Sequence, residues 1–197
     1  MQEVEFENKL YRISFDAMQD SLKEKLKKEE LKKYLELLEA VQKKPRSVYS
    51  EVKAFGEKHS DVAEVINLLT FAHIQNHRIA EAEKLIEDTF NKHPEYLFAR
   101  INYADQCIRN KKLEMVEELF PTFDLSELCP EKEVFHTSEF RGFLIMMTYY
   151  HRARKEKEKA IHYLAKAKEI EPHHPSVRYL EKKLLKKSLL ARLLRKK

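Results

Sequence analysis

Between residues 63 and 174 apolar positions recur at the three- and four-residue spacing of amphipathic helices, and the helices come in pairs. Ala82 and Pro94 stand twelve residues apart in one pair. The same residue types return as Ala160 and Pro172 after seventy-eight residues, which is two periods of 34 plus ten. Counting back from Pro94, a unit starts at Ala63, with Ile66, Leu69, Ala82, Leu85 and Ile86 apolar and a turn at Asn76-His77. The next starts at Leu97, with Tyr103, Ala104, Cys107, Val116 and Phe120, and turns at Asn110-Lys111. A third starts at Arg141 and carries Leu144, Met147, Thr148, His151, Ala160, Leu164, Ala167 and Pro172. Stepping back from Ala63 reaches Glu29, where Leu35, Val48, Val52 and Phe55 form a weaker unit. A helical hairpin of this size cannot bury its apolar face alone, so the period predicts hairpins that cover one another.

The period divides the chain into a lead-in over 1–28, units at 29–62, 63–96, 97–130 and 141–174, an insertion at 131–140, and a terminal helix over 175–197. In the lead-in, Val4-Glu5-Phe6 and Leu10-Tyr11-Arg12-Ile13 alternate around Asn8-Lys9, which fits a short hairpin or a helical lead-in. From Asp16 to Lys44 one helix is expected, with Met18, Leu22, Leu26, Leu35, Leu38 and Val41 as its stripe, and Pro45 is expected to open the next. Pro121 should end its helix early. After it, Phe123, Leu125 and Leu128 make an apolar loop that either covers a gap between units or lips a binding groove.

Composition narrows the class. Two glycines in 197 residues are too few for the turns of a sheet protein, and 36% charged residues suit exposed helix faces, so the expectation is all-α.

The small and apolar residues Ile66, Leu69, Thr70, His73, Ala82, Ile86 and Thr89, closed by Pro94, match the pattern of a tetratricopeptide repeat, and the chain resembles that family over roughly 29–174. Thr70 and His73 stand where the family carries glycine and tyrosine, and its early tryptophan is missing. The resemblance implies a right-handed helical-hairpin repeat solenoid with a C-terminal capping helix. It also implies a non-enzymatic interaction module, an adaptor, scaffold or chaperone-like protein, that binds a peptide or helix of a partner in a concave groove. Carried over position by position, the groove residues are Asn67, Phe71 and Ile74, then Phe98, Ile101, Asn102, Asp105 and Arg109, then Ile145, Met146, Tyr149 and Arg152. Members that clamp a chaperone's C-terminal carboxylate need an asparagine where Phe71 stands, so that ligand is not expected. Several of these side chains have packing as an alternative use.

Charge supplies a second reading. Residues 175–197 hold nine basic residues against Glu181, a surplus of eight in a chain of net charge +5, which leaves the remainder at −3. Val177, Leu180 and Leu184 suffice for a cap, so Leu185, Leu189, Leu190, Leu193 and Leu194 are in excess. With Lys182, Lys183, Lys186, Lys187, Arg192 and Arg195 they serve either a solvated cap, a docked partner, or an anionic surface such as a nucleic acid, a ribosome or a membrane.

Catalytic motifs are absent: there is no HExxH, glycine-rich phosphate loop or nucleophile elbow, and no cofactor is called for. His136 and Glu139 share a helix face but lack a third metal ligand nearby. The simpler reading is a helix cap at Thr137 or Ser138 with Glu139 in the first turn. His73 belongs to a core position and His77 to a turn. Cys107 and Cys129 lack metal-ligand spacing, which with a charged N-terminal stretch and no long apolar run points to a cytoplasmic protein with reduced thiols.

Overall fold

The computed structural model describes residues 1–16 and 20–194, with side chains placed for 1–16 and 21–184. Among the described residues are eleven helices and three strands, so the chain is mostly helical with a small sheet rather than wholly α. It divides into two compact units, Ala17–Gln106, and Met1–Asp16 together with Cys107–Lys197.

The first unit holds α1 (Asp20–Lys25), α2 (Lys28–Lys43), α3 (Tyr49–Lys58), α4 (Ala63–Gln75), α5 (Ile79–Lys92) and most of α6 (Leu97–Arg109). The single helix expected from 16 to 44 is broken at Lys27, whose backbone is extended. An unbroken helix would carry Glu30 on the stripe of Leu26, Tyr34 and Leu37, where burying a carboxylate is costly. The break instead turns Glu30 into a cap that accepts from the Lys27 N–H at 3.1 Å and from Lys58 Nζ at 2.7 Å. Leu22, Leu26, Leu37, Val41, Val52, Val65, Leu68, Leu69 and Ala72 form the core of this unit. Gly56 sits where α3 crosses α4: a Cβ there would lie 2.7 Å from Leu69 Cδ2 and 3.2 Å from its Cβ, so any side chain there would have to displace Leu69.

Five prolines act as helix stops. Lys44, His93, Phe120, Cys129 and Glu171, which close α2, α5, α7 (Leu113–Leu119), α8 (Leu125–Leu128) and α10 (Lys157–Ile170), each precede a proline. Their φ lies between −127° and −141° and their ψ between 60° and 75°, outside the helical region that a following proline disfavours. Pro45 therefore ends α2 rather than opening α3, which begins four residues later. Pro175 does the opposite, as the first residue of α11 (Pro175–Leu194).

The two expected turns and a third at Lys155 are one structure made three times. His77, Lys111 and Lys155 have φ of 59°, 61° and 64°, and they stand 34 and then 44 residues apart. At each, the next residue's N–H reaches back to the carbonyl five before it: Arg78 to His73 at 2.9 Å, Lys112 to Cys107 at 2.9 Å, Glu156 to His151 at 2.8 Å. This is the long bond of a Schellman cap, which pairs the last helical carbonyls and reverses the chain. Residues 78 apart share burial as well: Ile66 and Leu144, Leu69 and Met147, Thr70 and Thr148, His73 and His151, and Ala82 and Ala160 are all interior. Thr70 and Thr148 both satisfy their hydroxyls on the carbonyl four residues back, at 2.9 and 2.8 Å.

The second unit joins both ends of the chain. β1 (Gln2–Phe6) and β2 (Lys9–Ser14) form the hairpin, not a helical lead-in, with Val4 opposite Tyr11 and Glu7-Asn8 at φ of 49° and 60°, as a two-residue I′ turn requires. β3 (Val134–His136), inside the insertion, adds to β2 in parallel, with Ile13 opposite Phe135. The buried sheet face packs on α9 (Thr137–Ala153), α10 and their aromatic rings: Tyr11 lies 4.9 Å from Phe140 and Phe6 lies 5.2 Å from Tyr163, centroid to centroid. The insertion contributes strand β3 and the buried Phe135, and the apolar segment before it contributes the buried Leu125. Val177 and Leu180 of α11 are fully buried, and Leu184 is half-buried.

His77, Lys111 and Lys155 are exposed, so a left-handed backbone held by a residue with a Cβ is a removable strain. Glycine at any one of the three should raise unfolding stability by up to about 1 kcal/mol, the relief exceeding glycine's extra unfolded-state entropy, whereas alanine should give no gain. Urea denaturation of the three glycine variants checks this.

Candidate functional site

The predicted groove residues separate into two sets, one in each unit. In the unit spanning 17–106, Asn67, Phe71 and Ile74 lie at i, i+4 and i+7 of α4, and Phe71 and Ile74 are large apolar side chains left exposed, at 36% and 41%. Asn67 and Asn102 come together, but they bind each other: Asn102 Nδ2 donates to Asn67 Oδ1 at 2.8 Å. Phe98 is half-buried beside Tyr96, and Asp105 is half-buried on α6. Ile101 is a correction, since it is 4% exposed and belongs to the core. In the other unit Arg109 is exposed and Ile145, Tyr149 and Arg152 are half-buried. Met146, buried at 2%, is the second correction. On α9 the sequence places apolar residues on nearly every side, so the outward face cannot be picked by spacing alone.

Of the tail residues, Lys182 is exposed and Lys183 donates to the Tyr179 hydroxyl at 3.1 Å. The side chains of Lys186, Lys187, Arg192, Leu185, Leu189, Leu190, Leu193 and Leu194 lie outside the described residues, as do Arg195 and Met18.

The His136 cluster is a cap, with the roles moved by one residue. His136 itself is the N-cap of α9: its Nδ1 accepts from the Ser138 N–H at 3.2 Å, and Glu139 accepts from the His136 N–H at 2.9 Å. Glu139 also takes Lys132 Nζ at 2.6 Å, so this carboxylate is fully occupied. Among the described residues no group of three or more His, Cys, Asp or Glu is placed to hold a metal ion, and no helix is long and apolar enough to cross a membrane.

A site that sequence reasoning did not single out lies in the sheet-bearing unit. A cavity of about 570 Å³ opens where the hairpin (Glu7, Lys9), the segment before α8 (Phe123, Asp124), the end of α9 (His151) and the start of α10 (Glu158, Lys159, His162, Tyr163) meet. Its wall is aromatic: the His151 ring stacks on Tyr163 at 5.1 Å and meets Phe123 at 6.1 Å. His162 stacks on Phe6 at 5.1 Å and pairs with Glu7 at 2.8 Å. His151, 3% exposed, gives its Nδ1 to Glu156 at 2.6 Å. Burial holds the His151 imidazole below its ordinary value against the pull of Glu156. The third turn alone has an acidic residue after its left-handed position, where the other two have Arg78 and Lys112. That difference is the signal of the pair in the sequence.

Asp124 ties the cavity's two sides together. It caps α8 through the Ser126 N–H at 2.8 Å, accepts the Tyr11 hydroxyl at 2.8 Å, and pairs with Lys9 at 3.1 Å. Burial by itself would raise this carboxyl, but Ser126, Tyr11 and Lys9 outweigh it and hold it well below the usual carboxylate range. Comparison with protein-family models, with curated proteins and with solved structures finds no match to this chain.

A depressed carboxyl contributes stability that is present above its ordinary value of 3.8 and is lost as pH falls toward the folded value. Asp124→Asn should therefore cost about 1.5–3 kcal/mol at pH 7, the range for hydrogen bonds to a charged group. The gap from wild type should shrink below pH 4. Paired urea titrations at pH 7 and pH 3 measure it, and a gap that does not change with pH removes the charge from the account.

Proposed function

We propose that this protein is a tetratricopeptide-like helical-hairpin module that works without catalysis, by holding a peptide or helix of a protein partner. The observation that carries the reading is the threefold recurrence of one hairpin turn at the family's 34-residue period, once lengthened by ten. Proteins built from such units act through the faces their helices leave uncovered. The face that supports partner binding is the α4 row of Phe71 and Ile74, two apolar side chains one turn apart, in the i, i+3 arrangement of anchors for a helix or extended peptide. Asn67 extends the row but spends its amide oxygen on Asn102, so contact there rests on the apolar pair.

Replacing both anchors, Phe71→Glu with Ile74→Glu, should remove partner capture by crosslinking in the native cell while leaving the far-ultraviolet circular dichroism and the melting temperature unchanged. Capture that survives the double substitution would sink the α4 face as the contact. Capture lost instead on truncation after Lys183, with binding that falls steeply in salt, would transfer the role to the basic helix.

A further inference from the structure

The cavity in the sheet-bearing unit carries a feature that packing does not require. His151 is almost completely buried, its side chain only 4% exposed, and its Nδ1 faces a carboxylate. A carboxylate only accepts, so Nδ1 carries the proton and Nε2 is left as a bare acceptor. That nitrogen has no hydrogen-bond partner among the described residues, and the ring lines the cavity. It is an acceptor open to the cavity, where an incoming donor can reach it.

The surroundings define the donor. Around His151 stand the rings of Tyr163 and Phe123, whose faces attract positive charge. The lining holds three carboxylates, Glu7, Asp124 and Glu158, against two lysines. Both lysines are already engaged, Lys9 by Asp124 and Glu127 and Lys159 by Glu156, whereas Glu158 is exposed and has no ion-pair partner among the described residues. An anion would meet bare carboxylate and neutralised lysine, while a cation would meet aromatic rings, a lone pair and an uncompensated charge. The equivalent histidine, His73, lacks this arrangement, because its Nδ1 is taken by the Tyr49 hydroxyl at 3.2 Å and the residue after its turn is Arg78.

We infer that this cavity binds the cationic head of an arginine or lysine side chain presented by a peptide, with an N–H of the head on His151 Nε2, the charge over Tyr163 and Phe123, and Glu158 as the counter-ion. The site lies in the unit that does not contain the α4 face and stands independently of it. A protein that captures partners normally through Phe71 and Ile74 but binds no cation here, or the reverse, tells the two ideas apart.

The test is a titration of the full chain, labelled at histidine with ¹⁵N, with N-acetyl-arginine methylamide and N-acetyl-lysine methylamide. The citrulline analogue serves as the uncharged isostere of arginine and inorganic phosphate as the anion. The expected result is a proton on Nδ1 of His151 in the free protein, then a saturable shift of its Nε2 with both cations. The citrulline analogue should bind at least about tenfold more weakly, in line with the loss of a desolvated cation–π contact and its counter-ion. Glu158→Gln, on an exposed residue that leaves the core untouched, should weaken the cations by about five- to tenfold and leave the citrulline analogue unchanged. His151→Phe, which keeps a ring in the stack, should abolish the heat of cation binding in isothermal titration calorimetry. The inference is overturned if phosphate produces the shift, if the citrulline analogue matches arginine, if Glu158→Gln changes nothing, or if no probe saturates.

Discussion

A helix leaves its last carbonyls without partners, and everything in this chain depends on how those carbonyls are satisfied at three turns. A left-handed residue at 77, 111 and 155 folds the chain back so that the next N–H caps the carbonyl five residues behind. The cap also sets where the second helix of each pair begins, at the residue after the capping N–H and in register with the first. The prolines complete the scheme from the other side, since each stop falls where the residue before a proline cannot stay helical. Turns made in this way need no glycine, which explains how the chain makes sharp reversals with only two of them.

In the sheet-bearing unit that regular scheme is interrupted. The shortened α7 and the ten extra residues would leave an apolar gap, and the hairpin from the start of the chain fills it with Val4, Phe6, Tyr11 and Ile13. Asp124 is the joint, since one carboxylate serves a helix cap, a strand tyrosine and the first lysine of β2. The same joint borders the cavity, whose lining includes Lys9 of the hairpin together with Phe123 and Asp124. His151 occupies the slot of a plain interior residue in the repeat pattern, yet Glu156 and the cavity give it a chemistry that His73 in the equivalent slot lacks.

Much of the local structure is legible along the chain. The 34-residue period places the turns at 76–77 and 110–111, and the proline positions place helix ends, because both arise from backbone constraints among near neighbours. Pro45 is ambiguous in the same terms, since a proline serves equally well after a stop and at a first turn, and only the Lys44 backbone decides which. The cap at His136 lies one residue before the expected one because imidazole is a rare N-cap. The break at Lys27 is hidden by an apolar stripe that runs across it unbroken, and only the cost of burying Glu30 explains it. Analogy of position points Ile101 and Met146 outward, and both are interior.

The helices, the repeated turn and the alternation of the hairpin strands are written in the chain alone, because each depends on the φ/ψ preferences and side-chain spacing of residues within about one helical turn or one strand of each other. The remaining features exist only in three dimensions. The pairing of β2 with β3 joins segments some 120 residues apart, as does the hold of Asp124 on Tyr11 at a separation of 113. The cavity around His151 draws on four separate segments. Those contacts are chosen by the filling of one core and the satisfaction of buried polar groups, and neither leaves a period along the chain.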